Sequence, residues 1–503
     1  MNQPSKYQLK IYDWIKNGSG NTIIQAVAGS GKTTTILDAI KLIPNNLNII
    51  YVAYNKDIIN EIRCKKLPSN LEVRTAHSLG KYMYTKYKRI DIMDNEKLYK
   101  IMDNILLDIR EGKLNNIFKE YDYNIIKENY KILKEIIDKL KNYLIDYNNF
   151  GELSKFINEK IDDTFELNDV HYKFIQIIIN DSKLLFTHDF NDMIWLPVVL
   201  NLNNVVKFDW IFVDELQDFN KCQNELIKLI CNEKTRVVGV GDKQQSIYLF
   251  RGAEPESMGN FKIYFNACEF PLSVSYRCPK KSILEAQKIY PEIEYADNAI
   301  DGVLENIDYD TMYSTLKHND VILCRFNLPL FKVLFKLYKM GKKAIFKDKD
   351  IKKELYRCID GFKDYDNILV FREQIRLYKD KLQEKFDDCI KKNNNQKYLL
   401  NKKIEICEII LFLSEDKFDM ISFKNFLDSL FLDSNNSIYL NTVHGFKGKE
   451  SDRIFILDYK NLANDGLFKY FQMSPKEIEQ EWNIKYVALT RNKKELYLVD
   501  KNE

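Results

Sequence analysis

A loop of small residues followed by a lysine lies near the start of the 503-residue chain. Apolar residues over 21–25 predict a strand before this loop, and the spacing over 33–43 predicts a helix after it. Such a loop wraps closely around an anion, because its N–H groups and the helix N-terminus face the charge and the lysine reaches the outer phosphates. Thr33 would then hold Mg²⁺. The predicted phosphate-binding residues are Ala28, Gly29, Ser30, Gly31, Lys32, Thr33 and Thr34.

The simpler interpretation of the loop is a glycine turn before an ordinary helix. Ala26 also stands where the usual phosphate-loop pattern has glycine. The strand, the lysine and the hydroxyl nevertheless agree with one another, so the sequence favours a phosphate site.

Two adjacent acids close another apolar strand, over residues 210–215. Asp214 at the strand tip would hold Mg²⁺ through water, and Glu215 would activate the attacking water. The alternative is that the acids cap a following helix. Next to a phosphate loop, the catalytic interpretation is favoured.

Two glutamines are candidates for contacts with a nucleotide. Gln8 could read an adenine edge with its paired donor and acceptor, or it could be a polar residue of a surface helix. Gln245 follows a buried strand and could sense a γ-phosphate.

Other residues are candidates for contacts with a nucleic acid. Thr75 and His77 follow a short strand and could bind a backbone, although a lone histidine there is more often an ordinary loop residue. Tyr248 and Phe250 offer faces on which bases could stack, although two aromatics near a loop are more often core.

The elements that must position these residues alternate between strands and helices, which implies parallel sheets. Continuous apolar runs predict buried strands at residues 48–54 and 236–241. Further strands are predicted at 320–325, 437–441, 453–457 and 495–499. Residues 80–180 and 345–436 carry Lys, Glu, Asn and Ile at helical spacing. They therefore predict two helical insertions, the first of which contains no strand.

Composition excludes several classes of protein. A net charge of +3 excludes a globally basic nucleic-acid binder, so any such surface must be local. The nine cysteines never form Cys-x-x-Cys, which favours a reducing compartment inside the cell, cytoplasm or nucleus, without disulfides or structural zinc. No signal segment or membrane-spanning run is present in the sequence, so no membrane partner is expected.

The ordered motifs resemble those of UvrD/Rep-type superfamily 1A helicases. In the first half the motifs are Ala28-Gly-Ser-Gly-Lys-Thr33, Thr75-Ala-His77, Asp214-Glu-Leu-Gln-Asp218 and Gly241-Asp-Lys-Gln-Gln-Ser-Ile-Tyr248. In the second half they are Ser275-Tyr-Arg277, Leu323-Cys-Arg325, Thr442-Val-His444, Lys447-Gly-Lys-Glu450 and Tyr486-Val-Ala-Leu-Thr-Arg491. Asp189-Phe-Asn-Asp-Met193 and the segment from Glu481 are similar to F-box DNA helicases, although no F-box fits before residue 5.

The resemblance implies an α/β fold with two RecA-like P-loop domains, each interrupted by a mainly helical insertion. The implied first domain is 1–79 with 181–270, interrupted by insertion 80–180. The implied second domain is 271–344 with 437–503, interrupted by a reduced insertion, 345–436.

The resemblance also implies roles for residues of the second half. Arg277 and Arg491 would reach the γ-phosphate of ATP from the second domain, and Tyr276 would stack on adenine. Glu450 would also belong to the nucleotide site, although Lys449 stands beside it where the family has leucine. The implied contacts with nucleic acid are Arg251, Thr442 and His444.

The expected function is therefore ATP-driven movement along single-stranded DNA, coupled to duplex unwinding in replication, repair or recombination. The cofactors would be ATP and Mg²⁺, and the partners single strands and single-strand/duplex junctions. A 3′ to 5′ direction follows from the resemblance only, and a monomer is expected. Two alternatives stay open: a translocase that regulates without unwinding, and an RNA helicase.

Overall fold

The computed structural model describes residues 4–89, 91–161, 165–247, 256–362, 367–391, 396–417, 419–432 and 436–501. The chain divides into two compact units. The first unit comprises Met1–Ala26 with Gly31–Leu272, and the second comprises Val27–Ser30 with Ser273–Glu503. Within the described residues, no helix is both long enough and apolar enough to span a membrane.

The first unit is built on a parallel sheet. The strands of this unit are Thr22–Ala26 (β1), Ile49–Ala53 (β2), Leu71–Thr75 (β3), Ile92–Met93 (β4), Thr187–His188 (β5), Trp210–Val213 (β6), Arg236–Gly241 (β7) and Cys268–Leu272 (β8). Six of them form one sheet in the order β3-β2-β6-β7-β1-β8, and every neighbouring pair is parallel. The short strands β4 and β5 pair separately. This order brings the ends of β1, β6 and β7 together at the carboxyl edge, where α/β proteins bind ligands.

Helices cover both faces of this sheet. They are Lys6–Asn17 (α1), Lys32–Ile40 (α2), Lys56–Arg63 (α3), Ala76–Lys88 (α4), Lys97–Arg110 (α5), Asp122–Glu128 (α6), Tyr130–Tyr143 (α7), Phe150–Lys160 (α8), Asp169–Leu184 (α9), Asp192–Val199 (α10), Lys221–Leu229 (α11) and Ser257–Tyr264 (α12). One face packs against α1, α2 and α3. The other face shares a continuous apolar core with α4 to α11, so the helical insertion is anchored on the sheet by burial of its apolar stripe.

The second unit repeats the parallel architecture. Its strands are Val274–Ser275 (β9), Glu294–Tyr295 (β10), Val303–Asp308 (β11), Val321–Cys324 (β12), Ala344–Phe346 (β13), Ile438–Thr442 (β14), Ser451–Leu457 (β15) and Asn492–Asp500 (β16). The main sheet has the order β11-β16-β15-β12-β14-β13, again with parallel neighbours.

Helices of the second unit extend the core of that sheet. They are Lys280–Gln287 (α13), Tyr309–Thr315 (α14), Asn327–Lys339 (α15), Lys349–Asp360 (α16), Ile368–Lys391 (α17), Lys397–Leu413 (α18), Met420–Ser429 (α19), Val443–Phe446 (α20), Asp465–Tyr470 (α21) and Pro475–Leu489 (α22). Apolar residues of α16 to α19 join those of β12, β14 and β15 in one core.

The expected α/β class is confirmed: two RecA-like parallel sheets carry helical insertions. Three of the differences from the sequence predictions have clear physical causes. Helix α2 ends at Ile40, not at residue 43, because Pro44 disfavours helical backbone just before it. The first insertion contains strand β4, which at two residues is too short to produce a periodic pattern. Strand β16 begins at Asn492, three residues before the predicted start, because its first residues are polar and do not continue the apolar pattern.

Candidate active site

The phosphate loop joins strand β1 to helix α2. Gly31 caps the helix with a φ of 74°, a left-handed conformation that glycine adopts without strain. The Thr35 N–H donates to Gly31 O at 2.9 Å, which starts the helical ladder immediately after the loop. The hydroxyl of Ser30 is buried and has no hydrogen-bond partner within the described residues. An orphaned buried hydroxyl in a glycine loop fits a bound anion.

Residues 27–30 of the loop belong to the second unit, where hydrogen bonds hold their backbone. The Tyr276 N–H donates to Gly29 O at 2.9 Å, and the Ala28 N–H donates to the Tyr486 hydroxyl at 3.1 Å. Gly29 has a φ of 71°, and a Cβ there would lie only 2.6 Å from the Arg277 Cβ. Position 29 therefore requires glycine for both its backbone conformation and the close approach of Arg277.

Lys32 and the two acids that follow β6 form the centre of the site. The Lys32 ammonium lies 2.8 Å from Glu215 Oε1. Asp214 is buried, and its Oδ2 accepts a hydrogen bond from the Tyr51 hydroxyl at 2.5 Å. Tyr51 also hydrogen-bonds Thr33, so strand β2 links the predicted metal residues Thr33 and Asp214.

Glu215 adopts a φ of 52°, which is uncommon for a residue other than glycine and is often found at functional sites. Its Oε2 accepts from Gln217 Nε2 at 2.5 Å, and Gln217 Oε1 accepts from the Asp242 N–H at 3.0 Å. Asp242 Oδ2 accepts in turn from Gln245 Nε2 at 2.6 Å. A Cβ on Gly241 would lie 2.4 Å from Gln217 Oε1, so glycine permits this approach. A continuous chain of contacts thus joins Lys32 to Gln245.

Burial and charge shift the pKa values in this cluster. Burial raises the pKa of Asp214 to about 6, with the Glu215 charge adding to the shift and Lys32 opposing it. Burial likewise raises the pKa of Asp242 to about 6. Burial opposes the charge of Lys32, but Glu215, Asp214 and Asp242 outweigh this effect and raise the pKa of its ammonium. A charged lysine among buried acids suits a site for polyanionic phosphates.

The residues present also fit a magnesium ion. Thr33 and Asp214 supply two oxygen donors. Within the described residues, no cluster of three or more His, Cys, Asp or Glu side chains could hold a metal ion. Mg²⁺ commonly binds through one or two protein oxygens together with waters and substrate phosphates, so these two protein donors are sufficient.

Gln8 lies on helix α1 and is buried. Its Oε1 accepts from the Ser5 N–H at 2.9 Å, which closes a capping box, and its Nε2 donates to Thr35 Oγ1 at 2.9 Å. Both ends of the amide are therefore engaged, and Gln8 connects α1 to the helix that follows the phosphate loop. Its predicted contact with adenine stays a prediction.

The second unit gathers several of the predicted nucleotide residues. Arg277 Nε lies 2.5 Å from Glu450 Oε2, and the other Glu450 oxygen lies 2.6 Å from Lys493 Nζ. Arg491 is buried, and its guanidinium donates to Val487 O at 2.9 Å. The Tyr276 side chain is exposed.

The two Thr-x-His segments have the same local structure. Thr75 ends β3 and caps α4, its hydroxyl accepting from the Ser78 N–H at 3.0 Å. Thr442 ends β14 and caps α20, its hydroxyl accepting from the Gly445 N–H at 3.1 Å. Each histidine therefore lies in the first turn of a helix at the carboxyl end of a strand.

Phe190 is a candidate that the sequence analysis missed. Its ring stacks on His77 with centroids 4.0 Å apart and an interplanar angle of 22°, while 53% of the residue is exposed. The two residues are more than a hundred positions apart, so sequence spacing could not pair them. Tyr51 was missed for the same reason, because it is 163 positions from Asp214. The predicted residues Tyr248, Phe250 and Arg251 lie outside the described residues.

Comparison with known proteins identifies the family. The family model for the UvrD/REP helicase N-terminal domain matches residues 10–266. The ATP-dependent DNA helicase Rep of Buchnera aphidicola subsp. Schizaphis graminum is 29% identical over 54% of the chain and 42% of that relative. The ATP-dependent DNA helicase PcrA of Bacillus subtilis is 25% identical over 55% of the chain and 38% of the relative.

A longer match extends over most of the molecule. The probable DNA helicase II homolog of Mycoplasma genitalium is 23% identical over 96% of the chain and 83% of the relative. By contrast, the matches to the Rep helicases of Buchnera aphidicola subsp. Schizaphis graminum and subsp. Acyrthosiphon pisum cover 42% and 46% of those relatives, so the chain spans less than half of their length. The match over residues 10–266 covers half of the chain and contains the phosphate loop with Asp214 and Glu215. The chain belongs to the UvrD/REP helicase family.

Proposed function

We propose that the chain is an ATP-dependent DNA helicase that moves along single-stranded DNA and unwinds duplexes. The observation that carries this proposal is the 2.8 Å pair between Lys32 and Glu215 beside a glycine loop and the buried Asp214. This is the arrangement that phosphoryl transfer needs: a lysine for phosphates, an acid for the metal and an acid for water. Two relatives are named ATP-dependent DNA helicases, which supports ATP and DNA as the substrates.

Hydrolysis would begin with a change of partner for Lys32. When the outer phosphates of ATP enter the loop, their greater charge draws the ammonium away from Glu215. Glu215, which Gln217 holds in position, would then accept a proton from the attacking water. Bound Mg²⁺ would neutralise charge that develops on the phosphate oxygens.

The polar chain from Glu215 to Gln245 would report the state of the phosphate. Gln245 is buried and bonded to Asp242, which is itself bonded to Gln217. Loss of the γ-phosphate would change the partner of Lys32 and hence the hydrogen bonds of Glu215 and Gln217. We infer that this series of hydrogen bonds carries the γ-phosphate-sensing role proposed for Gln245.

Residues of the second unit would complete the chemistry. Arg277 and Arg491 are proposed to stabilise charge during phosphoryl transfer, and Tyr276 and Glu450 to contribute to nucleotide binding. The Arg277–Glu450 pair holds one guanidinium in a defined orientation, which supports a role that requires a planar fork.

Single-stranded DNA would bind at the helix starts that carry Thr75, His77, Thr442 and His444. The exposed ring of Phe190 beside His77 supports this, because aromatic faces accept stacked bases without sequence preference. Contacts by Tyr248, Phe250 and Arg251 belong to the same proposal. Movement in the 3′ to 5′ direction, action as a monomer at single-strand/duplex junctions, and a place inside the cell in DNA replication, repair or recombination complete it.

A direct experiment combines ATP hydrolysis with strand separation. Forked duplexes with only a 3′ or only a 5′ single-stranded tail are incubated with the protein, ATP and Mg²⁺, and strand release is measured. The proposal predicts ATP-dependent release from the 3′-tailed fork. Hydrolysis without release would instead indicate a translocase that does not unwind. Stronger stimulation by RNA strands than by DNA strands would indicate an RNA helicase.

A further inference from the structure

An exposed apolar surface lies on the first unit, outside the site described above. Tyr87, Ile92, Met93 and Phe186 are each between 43% and 55% exposed. They are neighbours: strand β4 (Ile92–Met93) pairs with strand β5, which directly follows Phe186. The Lys88 ammonium lies 5.4 Å from the Tyr87 ring centroid and 5.3 Å from that of Phe186. We call Tyr87, Lys88 and Phe186 the Phe186 platform.

The Phe186 platform is continuous with the His77–Phe190 stack. Residues 186–190 run antiparallel to helix α4, as three ring contacts show. The pairs are His77 with Phe190, Tyr84 with His188, and Lys88 with Phe186. His77 and Lys88 are 11 positions apart, about three turns, so they share one side of the helix about 16 Å apart. About five stacked nucleotides at 3.4 Å each cover that distance.

The charges on this surface favour a nucleic acid over an apolar protein partner. Lys88 has no salt bridge within the described part of the chain, and Lys86 and Arg89 are exposed. Of the nearby acids, Asp91 lies 2.9 Å from Lys81 and 3.6 Å from His188, and Asp94 lies 2.8 Å from Lys100. Lys88 beside two exposed rings matches a strand that offers a phosphate and base faces, whereas an apolar partner would leave this cation buried and uncompensated.

We propose that the Phe186 platform binds single-stranded nucleic acid and extends the path of the strand beyond Phe190 along helix α4. The inference rests on the proposed function, because it assumes that a strand lies at His77 and Phe190. It adds a binding surface on the side of the helical insertion, at the carboxyl end of α4. One base would stack on Phe186 or Tyr87, and Lys88 would contact a phosphate.

The test measures the affinity of the whole chain for a labelled oligothymidylate of about 16 nucleotides by fluorescence anisotropy. Phe186→Ala is compared with Tyr121→Ala, a matched control. Tyr121 is 57% exposed, and Lys119 lies 5.6 Å from its ring centroid, so it is a lysine-flanked aromatic elsewhere in the first unit. We expect roughly 5- to 100-fold weaker binding for Phe186→Ala and wild-type binding for Tyr121→Ala.

A second variant separates stacking from charge and guards against misfolding. Lys88→Ala should lower the slope of log affinity against log salt by about one, because it removes one phosphate contact. Phe186→Ala should leave that slope unchanged. Circular dichroism and thermal unfolding of both variants establish that they are folded.

The outcomes distinguish this inference from the proposed function. If the wild-type protein does not bind the oligonucleotide, the proposed function fails and the inference fails with it. If the wild-type binds and both variants bind equally well, the proposed function stands and the Phe186 platform is overturned as a strand-binding surface.

Discussion

The ammonium of Lys32 lies 2.8 Å from the carboxylate of Glu215. This pair connects the start of helix α2 to the segment that follows strand β6. The two groups are predicted to exchange partners in each catalytic cycle. Lys32 would exchange a carboxylate for phosphate, and Glu215 would exchange an ammonium for water. The pair would therefore keep Glu215 from acting as a base before ATP is in place.

Replacing Glu215 with glutamine should separate binding from hydrolysis. The amide keeps the size of the side chain but cannot accept a proton, so ATP binding should persist. Turnover should fall by about 10²–10⁴, the usual contribution of a general base. Single-turnover hydrolysis and equilibrium binding of a fluorescent ATP analogue measure the two effects. Normal turnover in Glu215→Gln would mean that another residue is the base.

Replacing Asp192 with asparagine should destabilise the first unit. The buried Asp192 accepts from Lys97 at 2.5 Å and from Lys141 at 2.7 Å, and both lysine side chains are only 1% exposed. Removing the shared carboxylate charge leaves two buried ammonium groups poorly compensated, so the free energy of unfolding should fall by about 3–5 kcal/mol. Urea unfolding measures this change.

The control for Asp192 is Asp38→Asn, which removes a carboxylate 2.7 Å from Lys41 on the exposed side of helix α2. Because water already screens both charges there, we expect little change in the urea midpoint. Equal effects of the two substitutions would show that the buried network does not stabilise the fold.

His77 should make stability sensitive to acid. Burial lowers the pKa of His77 to about 4, whereas in the unfolded chain it is about 6.5. Below pH 6.5 the unfolded chain gains a proton that the folded chain does not take up until about pH 4. The contribution of His77 is therefore complete above pH 6.5 and is lost as the pH falls towards 4.

The corresponding variant is His77→Asn, which cannot titrate in this range. Its free energy of unfolding should fall less than that of the wild-type protein between about pH 7 and about pH 5. Urea unfolding at both pH values gives the two differences. Identical differences would show that His77 is not held neutral in the fold.

Much of the site could be predicted from local sequence, because Lys32, Asp214 and Glu215 each lie next to a strand or loop with a recognisable pattern. Spatial partners could not be predicted in the same way. Lys97, Lys141 and Asp192 look like ordinary charged positions on helices, and only folding over 51–95 residues brings them together. The edge strand β11, partly exposed and polar, gives no continuous apolar run, so the full width of the second sheet was not foreseen.

Arg277 and Arg491 should matter more for turnover than for ATP affinity. Arg277→Ala should reduce the strand-stimulated kcat by about 10³–10⁵, the contribution of an arginine finger. Arg491→Lys should also lose most activity, because an ammonium cannot replace the planar fork. Stopped-flow phosphate release measures both.

The control for the arginines is Arg453→Lys. Arg453 is a paired arginine of the same unit, with Nη1 2.8 Å from Asp320 Oδ2. Because Arg453 is not among the residues proposed for phosphoryl transfer, the kcat of Arg453→Lys should stay close to that of the wild-type protein. Wild-type kcat in Arg277→Ala would remove Arg277 from the proposed chemistry, and wild-type kcat in Arg491→Lys would show that the planar fork of Arg491 is not required.

The loop ending at Lys32 is predicted to hydrolyse ATP in response to single-stranded DNA. The most direct test measures phosphate release with and without a single strand, in the wild-type protein and in Lys32→Ala. We predict strong stimulation in the wild-type protein and none in Lys32→Ala, although the variant still binds the strand. Wild-type hydrolysis that does not respond to the strand, or undiminished hydrolysis in Lys32→Ala, would contradict the account.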